Sequence, residues 1–574
     1  MRDFSELYYQ RPNAADLQRQ LKRLIRRFKK RQEKTNRHEI FKEFQSLVDQ
    51  YNEMKRLALL RQNQSSADFY ANELSFYNSL NPLIEELVVD FYELFLSSDL
   101  ELDPDDPVEV ALNQRAVTTL QLYGPHYREA LALERQIIHS ELRRLKTLKR
   151  MLTGHSSDSP KFNAFLRNPD PDLRYQAWQR LSTELIAGES EGSANYLKIL
   201  RLRQKMQSDS GLESPYNYAA IHSKLYFSEH RDWHQFKQNL TRYFMPLHEA
   251  FKQLRVRKLG EDYLQIQNFM TLLSTEGLTQ LPQADAGFLK RLSTYVDQRL
   301  GGQSLFSDLL SHGYMQELGR LDLDFTEIPL SLPLSKNAVM LHQDFLSCPI
   351  DLALRSLLGD FGRTLLLYSS LRNYPGQEII PEAPFAEAMA ELGLVAILNV
   401  SPFSQPTVTE VKKTDILMEG ISTDELIDLL LARFILLLPS FLQRADFELQ
   451  VNAYQLNKAQ DIAELWKRLS YKYYPELKRS ASPAFKYGFD HQLQAELFTH
   501  PFSSLELPLA LLILLNEQPW HRNNYIIAEK LNRFLLSNRS LSLAKRLHSA
   551  GFKAPEGEEF FSRAAFALAD RLQL

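Results

Sequence analysis

Cysteine, glycine and proline are scarce in this chain of 574 residues, and each scarcity excludes a class of protein. A single cysteine, Cys348, cannot form a disulfide within the chain, so a disulfide-rich fold and a cysteine-cluster metal site are excluded. The 20 glycines and 26 prolines compare with roughly 70 in a chain of average composition. This deficit argues against a turn-rich β fold and favours long helices.

Long apolar runs and an excess of either charge are also missing. The longest apolar run, Leu509 to Leu515, is much shorter than the ~20 residues of a membrane-spanning helix. With 68 basic and 71 acidic residues the formal net charge is −3, so the overall charge gives no strong nucleic-acid signal. Residues Met1 to Phe4 show no apolar leader, and together with the lone cysteine this predicts a cytoplasmic protein.

Helical periodicity dominates what is present. One stripe of apolar residues repeats at helical spacing near the amino terminus: Leu17, Leu21, Leu24, Ile25 and Phe28. Asn81-Pro82 and Ser214-Pro215 are predicted helix starts, because proline suits the first helical turn. Only the stretch from Leu321 to His342 alternates as strands do. The sequence therefore predicts a mainly helical, all-α protein with one small β element.

Three segments carry a resemblance to a known family. They are Phe4 to Leu7 with Arg11-Pro12; Arg61, Asp68 to Tyr70, Glu73 and Asn81 to Leu87; and Phe162 to Trp178 with Asp172, Arg174 and Ala177. In this order they resemble the oligoendopeptidases F, which belong to the thimet-oligopeptidase family of zinc metallopeptidases. The resemblance implies a two-lobed, neurolysin-like fold around a deep cleft that accepts short peptides. It places an amino-terminal helical lobe at residues 1–190 and a lobe like the catalytic one at residues 191–574.

The zinc-binding helix of that family reads His-Glu-x-x-His, with two imidazoles on one helix face and a glutamate that polarises water. The matching helix here is residues 350–370, and the motif positions hold Gly359, Asp360 and Arg363. Both imidazoles are therefore lost, and a permanent cation stands at the second position. The third ligand of the family, a glutamate about 28 residues after the first histidine, corresponds to Glu387, with Glu382 as a competing register.

A second catalytic element of the family, a histidine and a tyrosine cluster near the carboxyl end, stabilises the oxyanion and holds the substrate. The histidine position falls on Glu496 or Leu497, the tyrosine positions fall on Ser503 and Leu507, and His500 aligns with a non-catalytic position. We therefore expect no catalytic residue and no bound metal or other cofactor. The cleft candidates are Glu496, His500, Ser503 and Leu507. A salt bridge from Arg363 to Glu387 or Asp360 is expected to fill the space of the ion.

Three further motifs have competing interpretations. His230 and His234 have a metal-ligand spacing, but a solvated helix start is the favoured interpretation. Cys348 lacks a recognisable base and is predicted to be a buried structural thiol. The helix at residues 17–37 carries ten basic residues and suggests an anionic partner, whereas the slight acidity of the chain favours a solvated outer face.

Three functions remain open at this point. The first is a pseudopeptidase that keeps the scaffold, has lost zinc, and acts by binding a short peptide or a protein partner. The second is a functional zinc-type oligoendopeptidase that recruits catalytic groups from elsewhere in the chain. The third is an interaction protein that uses the basic amino-terminal helix. The sequence identifies neither the partner nor the oligomeric state.

Overall fold

The computed structural model describes most of the chain. The described residues are 3–30, 34–60, 67–98, 103, 106–122, 127–153, 159–260, 265, 268, 273–274, 277–278, 282–300, 304–317, 331–334, 337–342, 344–373, 383–398, 423–453, 456, 458–476, 484, 488–517, 525–538 and 541–574.

The first half of the chain consists of helices joined by short connections. They are α1 (Ala14–Lys30), α2 (Lys34–Leu60), α3 (Ala67–Leu96), α4 (Pro107–Leu122), α5 (Tyr127–Thr153), α6 (Ser159–Leu166), α7 (Pro171–Ala187), α8 (Glu189–Asp209), α9 (Pro215–His222) and α10 (His230–Leu259). Two starts show why helices begin where they do. Asp170 accepts hydrogen bonds from the backbone of Asp172 and Leu173, and Ser214 accepts one from Asn217, each just before a proline in the first turn.

The second half is also helical. Its helices are α11 (Phe288–Arg299), α12 (Leu305–Ser311), α13 (Ile350–Asn373), α14 (Pro384–Ile397), α15 (Thr423–Ala453), α16 (Ala459–Tyr473), α17 (Ala495–Thr499), α18 (Glu506–Asn516), α19 (Tyr525–Leu535), α20 (Leu543–Ala550) and α21 (Gly557–Leu572). The described part of the chain is therefore mainly helical, which confirms the predicted fold class.

Two small sheets interrupt the helices. Strands β1 (Leu273–Ser274) and β2 (Gly277–Leu278) form an antiparallel pair. In the second sheet, β5 (Asn337–His342) is central, β3 (Met315–Glu317) pairs with it in parallel and β4 (Ser331–Leu334) antiparallel. The strand prediction at 321–342 is confirmed where β4 and β5 lie, and its residues 321–330 are outside the described residues.

The largest apolar core surrounds two long helices of the second half. Helix α13 packs against α14 and against β5, and α14 packs in turn against α18. The side chains of Leu358, Phe361 and Leu394 are fully buried there. A separate core forms among α1, α2, α3 and α4, where the predicted stripe of α1 is buried at Leu17, Leu21, Leu24 and Phe28. The division at residue 190 stays a prediction, and α5 and α8, on its two sides, pack on one another.

One predicted helix start is wrong. Pro82 lies inside α3 instead of at its first turn, whereas Ser214-Pro215 does begin a helix. Tyr77 before Pro82 and Phe91 after it are buried in the same core, and this packing outweighs the loss of one backbone N–H. No helix in the described part of the chain is long and apolar enough to span a bilayer.

Two glycines in α13 give a matched test of how tightly α13 and α14 pack. A Cβ at Gly362 would lie 2.9 Å from the Cβ of Ala390 and 2.9 Å from the backbone nitrogen of Glu391, whereas a Cβ at Gly359 would meet nothing closer than 3.4 Å. We expect Gly362→Ala to lower the thermal midpoint, with a destabilisation of about 1–3 kcal/mol from overpacking. Gly359→Ala, its control, should be neutral or stabilise by up to ~1 kcal/mol. Equal midpoints for the two variants, measured by circular dichroism, would contradict this packing.

Candidate functional site

The five motif positions lie in the middle of α13, where Gly359 and Gly362 face residues of α14. Gly359, Asp360, Phe361 and Gly362 are buried, and the Phe361 ring stacks on Phe306 with centroids 4.3 Å apart. This packing fixes the rotation of α13 about its axis. It therefore fixes which side chains α13 presents to α14, the helix that carries Glu387 in its first turn.

Arg363 forms an ion pair with Asp360, one turn earlier in the same helix. Its Nη2 lies 2.5 Å from Oδ1 of Asp360, which confirms the expected salt bridge and selects Asp360 as the direct partner. The Asp360 side chain is 3% exposed and that of Arg363 is 23% exposed. Burial raises the pKa of Asp360 to about 7, although the guanidinium acts to lower it. The second oxygen of Asp360, Oδ2, has no hydrogen-bond partner among the described residues.

Glu387 and a second glutamate of α14 also act on Arg363. Desolvation acts to lower the pKa of this guanidinium, and the carboxylates of Asp360, Glu387 and Glu391 more than offset it, so the pKa is raised. Glu391, which the sequence analysis missed, lies one turn after Glu387 and also accepts a 3.2 Å hydrogen bond from Nε of Arg355. The only sequence signal for it was the spacing of four residues from Glu387, which places both on one helix face.

The absence of a side chain at position 359 makes room for these groups. A Cβ at Gly359 would lie 3.4 Å from Oε2 of Glu391 and 3.7 Å from both Nη atoms of Arg363. The guanidinium and the glutamate thus lie at ordinary van der Waals distance from the place of a Cβ at position 359. A side chain longer than alanine at this position would have to share the space with both groups.

A second group of buried charges lies on α13 itself and on distant elements. Nη1 of Arg167 lies 2.9 Å from Oδ2 of Asp351, and Nη1 of Arg433 lies 3.7 Å from the same oxygen. Burial lowers the pKa of Arg433 to about 9, and the positive charges of Arg355 and Arg167 act in the same direction. Sequence reasoning could not assemble this group, because Arg167 is 184 residues from Asp351.

The residues at the motif positions do not fit a zinc ion as they are arranged. Zinc takes four ligands from imidazole, thiolate or carboxylate groups, and here Gly359 offers none and Arg363 offers a cation. The nearest carboxylate, Asp360, is already paired with that cation. Across the described ranges, no group of three or more His, Cys, Asp or Glu side chains could hold a metal ion. The competing ligand Glu382 is outside the described residues.

The four cleft candidates near the carboxyl end lie on α17, α18 and the turn between them. Oε2 of Glu496 lies 3.2 Å from Nη1 of Arg444, and Nδ1 of His500 lies 2.8 Å from the Thr499 hydroxyl. The Ser503 hydroxyl donates a 2.7 Å hydrogen bond to the carbonyl of His500, and Leu507 packs against the large core. These contacts lead to Arg444, Thr499 and the local backbone, and not to the Arg363 cluster.

Glu496 and His500 are exposed to solvent. The Glu496 side chain is 57% exposed, yet desolvation by the surrounding chain is the largest influence on its pKa. That desolvation raises the pKa of Glu496 and Arg444 lowers it, with a lowered pKa as the result. Desolvation also lowers the pKa of the exposed His500.

Two of the motifs with competing interpretations, the histidine pair and Cys348, have surroundings that favour the less reactive interpretation. His230 is the exposed first residue of α10, and Nε2 of His234 lies 3.0 Å from the Gln238 amide, which favours a solvated helix start. Cys348 is fully buried, and burial raises the pKa of its thiol to about 11. A thiol with so high a pKa is not a nucleophile at neutral pH, which supports the structural role.

Comparisons with known proteins bear on the amino-terminal domain and on the fold. Residues 4–103 match the Peptidase M3 N-terminal domain. No curated protein sequence matches the chain. The chain is similar in structure to Pz peptidase A in complex with an inhibitor, with a TM-score of 0.80, 15% identity and 99% of both chains covered.

Two further solved structures share the fold. A protein assigned as an oligoendopeptidase F from Bacillus anthracis has a TM-score of 0.77 and 14% identity, with 100% of this chain and 98% of that chain covered. The oligoendopeptidase F from Enterococcus faecium has a TM-score of 0.58 and 12% identity, with 98% and 96% covered. At such identities the likeness shows the fold and leaves the chemistry to the residues of the site.

The raised pKa of Asp360 predicts a pH dependence of stability. In the unfolded chain this carboxyl titrates near its ordinary pKa of 3.8, and in the folded chain at about 7. Between about pH 4 and pH 7 the folded state holds the extra proton, so stability falls as pH rises, by at most about 1.4 kcal/mol per pH unit. Asp360→Asn removes this contribution, so its urea midpoint should fall less over that range than the wild-type midpoint does.

Asp90→Asn, at an exposed position of α3, is the control for this measurement. It should keep the wild-type dependence on pH, because it removes a carboxylate without changing the buried cluster. If Asp360→Asn also keeps the wild-type slope, Asp360 titrates alike in both states and the argument from burial is wrong.

Proposed function

We propose that this chain, which has the fold of an oligoendopeptidase F and the amino-terminal domain of the M3 peptidases, is a pseudopeptidase. It binds a short peptide or a protein partner through the scaffold, and it does not hydrolyse peptides with zinc. The observation that carries the proposal is the Arg363 guanidinium, paired with Asp360, beside the empty side-chain position of Gly359.

Electrostatics supports the loss of the metal. The carboxylates of Asp360, Glu387 and Glu391 all act on the Arg363 guanidinium, and Asp360 accepts directly from it, so a cation already stands among them. A dication in the same space would have to displace a guanidinium that cannot lose its proton in a protein. Like charges repel strongly inside a protein, where the effective dielectric constant is low. Metal binding therefore requires the removal of Arg363.

The side chains at the positions of the general base and of the oxyanion donors already form other contacts. The general base of the family would correspond to Asp360, which is buried and paired, so it has no open face toward a water molecule. At the carboxyl end, the Ser503 hydroxyl donates to the local backbone and Leu507 has no polar atom. Neither position supplies a donor to a developing oxyanion, which normally needs a hydrogen bond of about 2.7–3.1 Å.

Binding needs the walls of the cleft and not the zinc ligands. Glu496 and His500 present exposed polar groups, as a site for an extended peptide requires. Arg444 and Glu496 pair across this wall, so the surface presents both signs of charge. Peptide or protein recognition without turnover is therefore compatible with every feature of the site.

Metal content and turnover test this proposal directly. Protein purified without chelator should contain far less than one zinc per chain by elemental mass spectrometry, because the ligand positions hold glycine and arginine. It should not cleave a quenched fluorescent peptide under conditions in which an active oligoendopeptidase F does. It should nevertheless bind labelled short peptides, measured by fluorescence anisotropy. Turnover that o-phenanthroline abolishes would contradict the proposal and favour a functional zinc-type oligoendopeptidase.

A restoration series tests the assignment of the site. The triple change Gly359→His, Asp360→Glu and Arg363→His removes the guanidinium and rebuilds the motif opposite Glu387. We expect near-stoichiometric zinc, measured by mass spectrometry and by competition with a chromogenic chelator. Turnover should remain weak, because Ser503 and Leu507 still provide no oxyanion donors.

Two additions to the triple variant identify the third ligand. Glu387→Gln should abolish zinc retention, whereas Glu391→Gln, one turn later on the same face, is the matched control and should retain zinc. The opposite result would move the ligand to Glu391. Absence of zinc in the triple variant, with its helical content intact, would show that α13 is not the counterpart of the zinc helix.

A further inference from the structure

Helix α1 presents a face of basic side chains that the proposed function does not use. Six of them line one surface hollow of about 300 Å³: Arg19, Lys22, Arg23, Arg26, Arg27 and Lys30. The hollow lies on the side of α1 that faces away from its buried apolar stripe. All six lining residues come from this one helix, so their arrangement follows from helical geometry alone.

The six cations form two parallel rows. Residues 19, 23 and 27 make one row and residues 22, 26 and 30 the other, each with a spacing of four residues. At 1.5 Å of rise per residue, neighbours within a row are about 6 Å apart along the axis and the whole face extends about 16 Å. Leu21, Leu24 and Phe28 on the opposite face are buried against α2 and α3, which holds the rows rigidly in place.

Most of this charge is not neutralised within the protein. Arg19 pairs with Asp16 at 3.2 Å, and Arg27 pairs with Glu43 at 3.0 Å. For the other four cations, Lys22, Arg23, Arg26 and Lys30, the described part of the chain provides no ion pair. These four side chains are exposed and remain available to an anionic partner.

The net charge of the chain conceals a strong segregation. Helix α1 carries seven basic residues and one acidic residue, although the whole chain has a net charge of −3. The rest of the chain is therefore clearly acidic and repels a polyanion. A concentration of positive charge such as the α1 face attracts a polyanion locally and helps to orient it as it approaches.

The surroundings of the face select among anionic partners. A membrane-binding amphipathic helix inserts its apolar stripe, but here that stripe is buried in the protein core. No aromatic side chain lines the hollow, so there is no platform on which the bases of a single strand could stack. A flexible acidic peptide would lose conformational entropy on ordering along the rows, whereas a duplex carries its charges at fixed positions.

We propose that the α1 face binds the phosphate backbone of a nucleic-acid duplex without reading its base sequence. Four arginines among the six lining residues suit phosphate, because a guanidinium donates two parallel hydrogen bonds to it. Neutralisation of phosphates by the four unpaired cations releases counterions, so the affinity depends steeply on salt. This site is independent of the cleft and of the loss of zinc.

Salt-dependent binding to a fluorescein-labelled duplex of arbitrary sequence tests the proposal. Four phosphate contacts predict that log K falls against log[KCl] with a slope of about −3.6. A second duplex of different sequence should give the same affinity. The quadruple variant Lys22→Gln, Arg23→Gln, Arg26→Gln and Lys30→Gln should lose about tenfold or more in affinity, and its slope should approach zero.

The matched control removes two lysines and two arginines that are exposed elsewhere: Arg231→Gln, Lys545→Gln, Lys553→Gln and Arg563→Gln. It changes the net charge equally and should keep the wild-type affinity and slope. The single variant Arg23→Gln, which makes the smallest change to the fold, should reduce the slope by about one.

Four outcomes would overturn the proposal. They are no binding of the wild-type protein to duplex, an equal loss in the quadruple variant and its control, tighter binding to phosphatidylserine vesicles than to duplex, and binding to poly-glutamate as tight as binding to duplex. The last two would assign the face to a membrane surface and to an acidic polypeptide, respectively.

Discussion

The ion pair between Arg363 and Asp360 constrains the neighbouring positions of α13 and α14. A guanidinium and a carboxylate that are largely removed from water must stay paired, because an unpaired buried charge costs several kcal/mol, on the order of 3–5. The guanidinium of the pair lies beside position 359, where glycine leaves the space next to it open. One turn later, Gly362 lets α14 approach closely enough for Glu391 to face the same guanidinium. The sequence of α13 is thus consistent with the ion pair at every neighbouring position.

The ion pair belongs to a larger balanced set of charges. The guanidinium groups of Arg167, Arg355, Arg363 and Arg433 face the carboxylates of Asp351, Asp360, Glu387 and Glu391. Such a set adds little net stability, since desolvation offsets most of the attraction. Removal of one member, however, leaves a buried charge without compensation. A return from this arrangement to a metal site therefore requires several simultaneous substitutions, and no single change is sufficient.

The basic face of α1 and the Arg363 cluster are physically separate. Helix α1 packs in the amino-terminal core with α2, α3 and α4, whereas the cluster lies in the core formed by α13, α14 and α18. No side chain of the α1 face takes part in the ion pairs around α13. The proposed polyanion binding at α1 and the proposed exclusion of a metal at α13 can therefore be tested independently by mutation.

Local patterns in the sequence predicted part of this architecture, and the reasons differ from element to element. The stripe of α1, the helix start at Ser214-Pro215 and the strands near residue 340 were predictable, because each depends on periodicity or capping within a few residues. Pro82 was misjudged, because the buried residues that keep α3 continuous across it belong to a core shared with other helices. Strand β3 and the pair β1–β2 are too short to carry an alternating pattern.

The sequence by itself, through its resemblance to the family, predicts that both imidazole positions are lost, because glycine and arginine stand at positions 359 and 363. It also determined that Arg363 requires an anionic partner, since its charge is permanent. Only the tertiary structure decided that this partner is Asp360, that Glu391 shares the space, and that Arg167 and Arg433 meet at Asp351. The physical reason is that charge is a property of single residues, whereas pairing and burial depend on how distant segments pack.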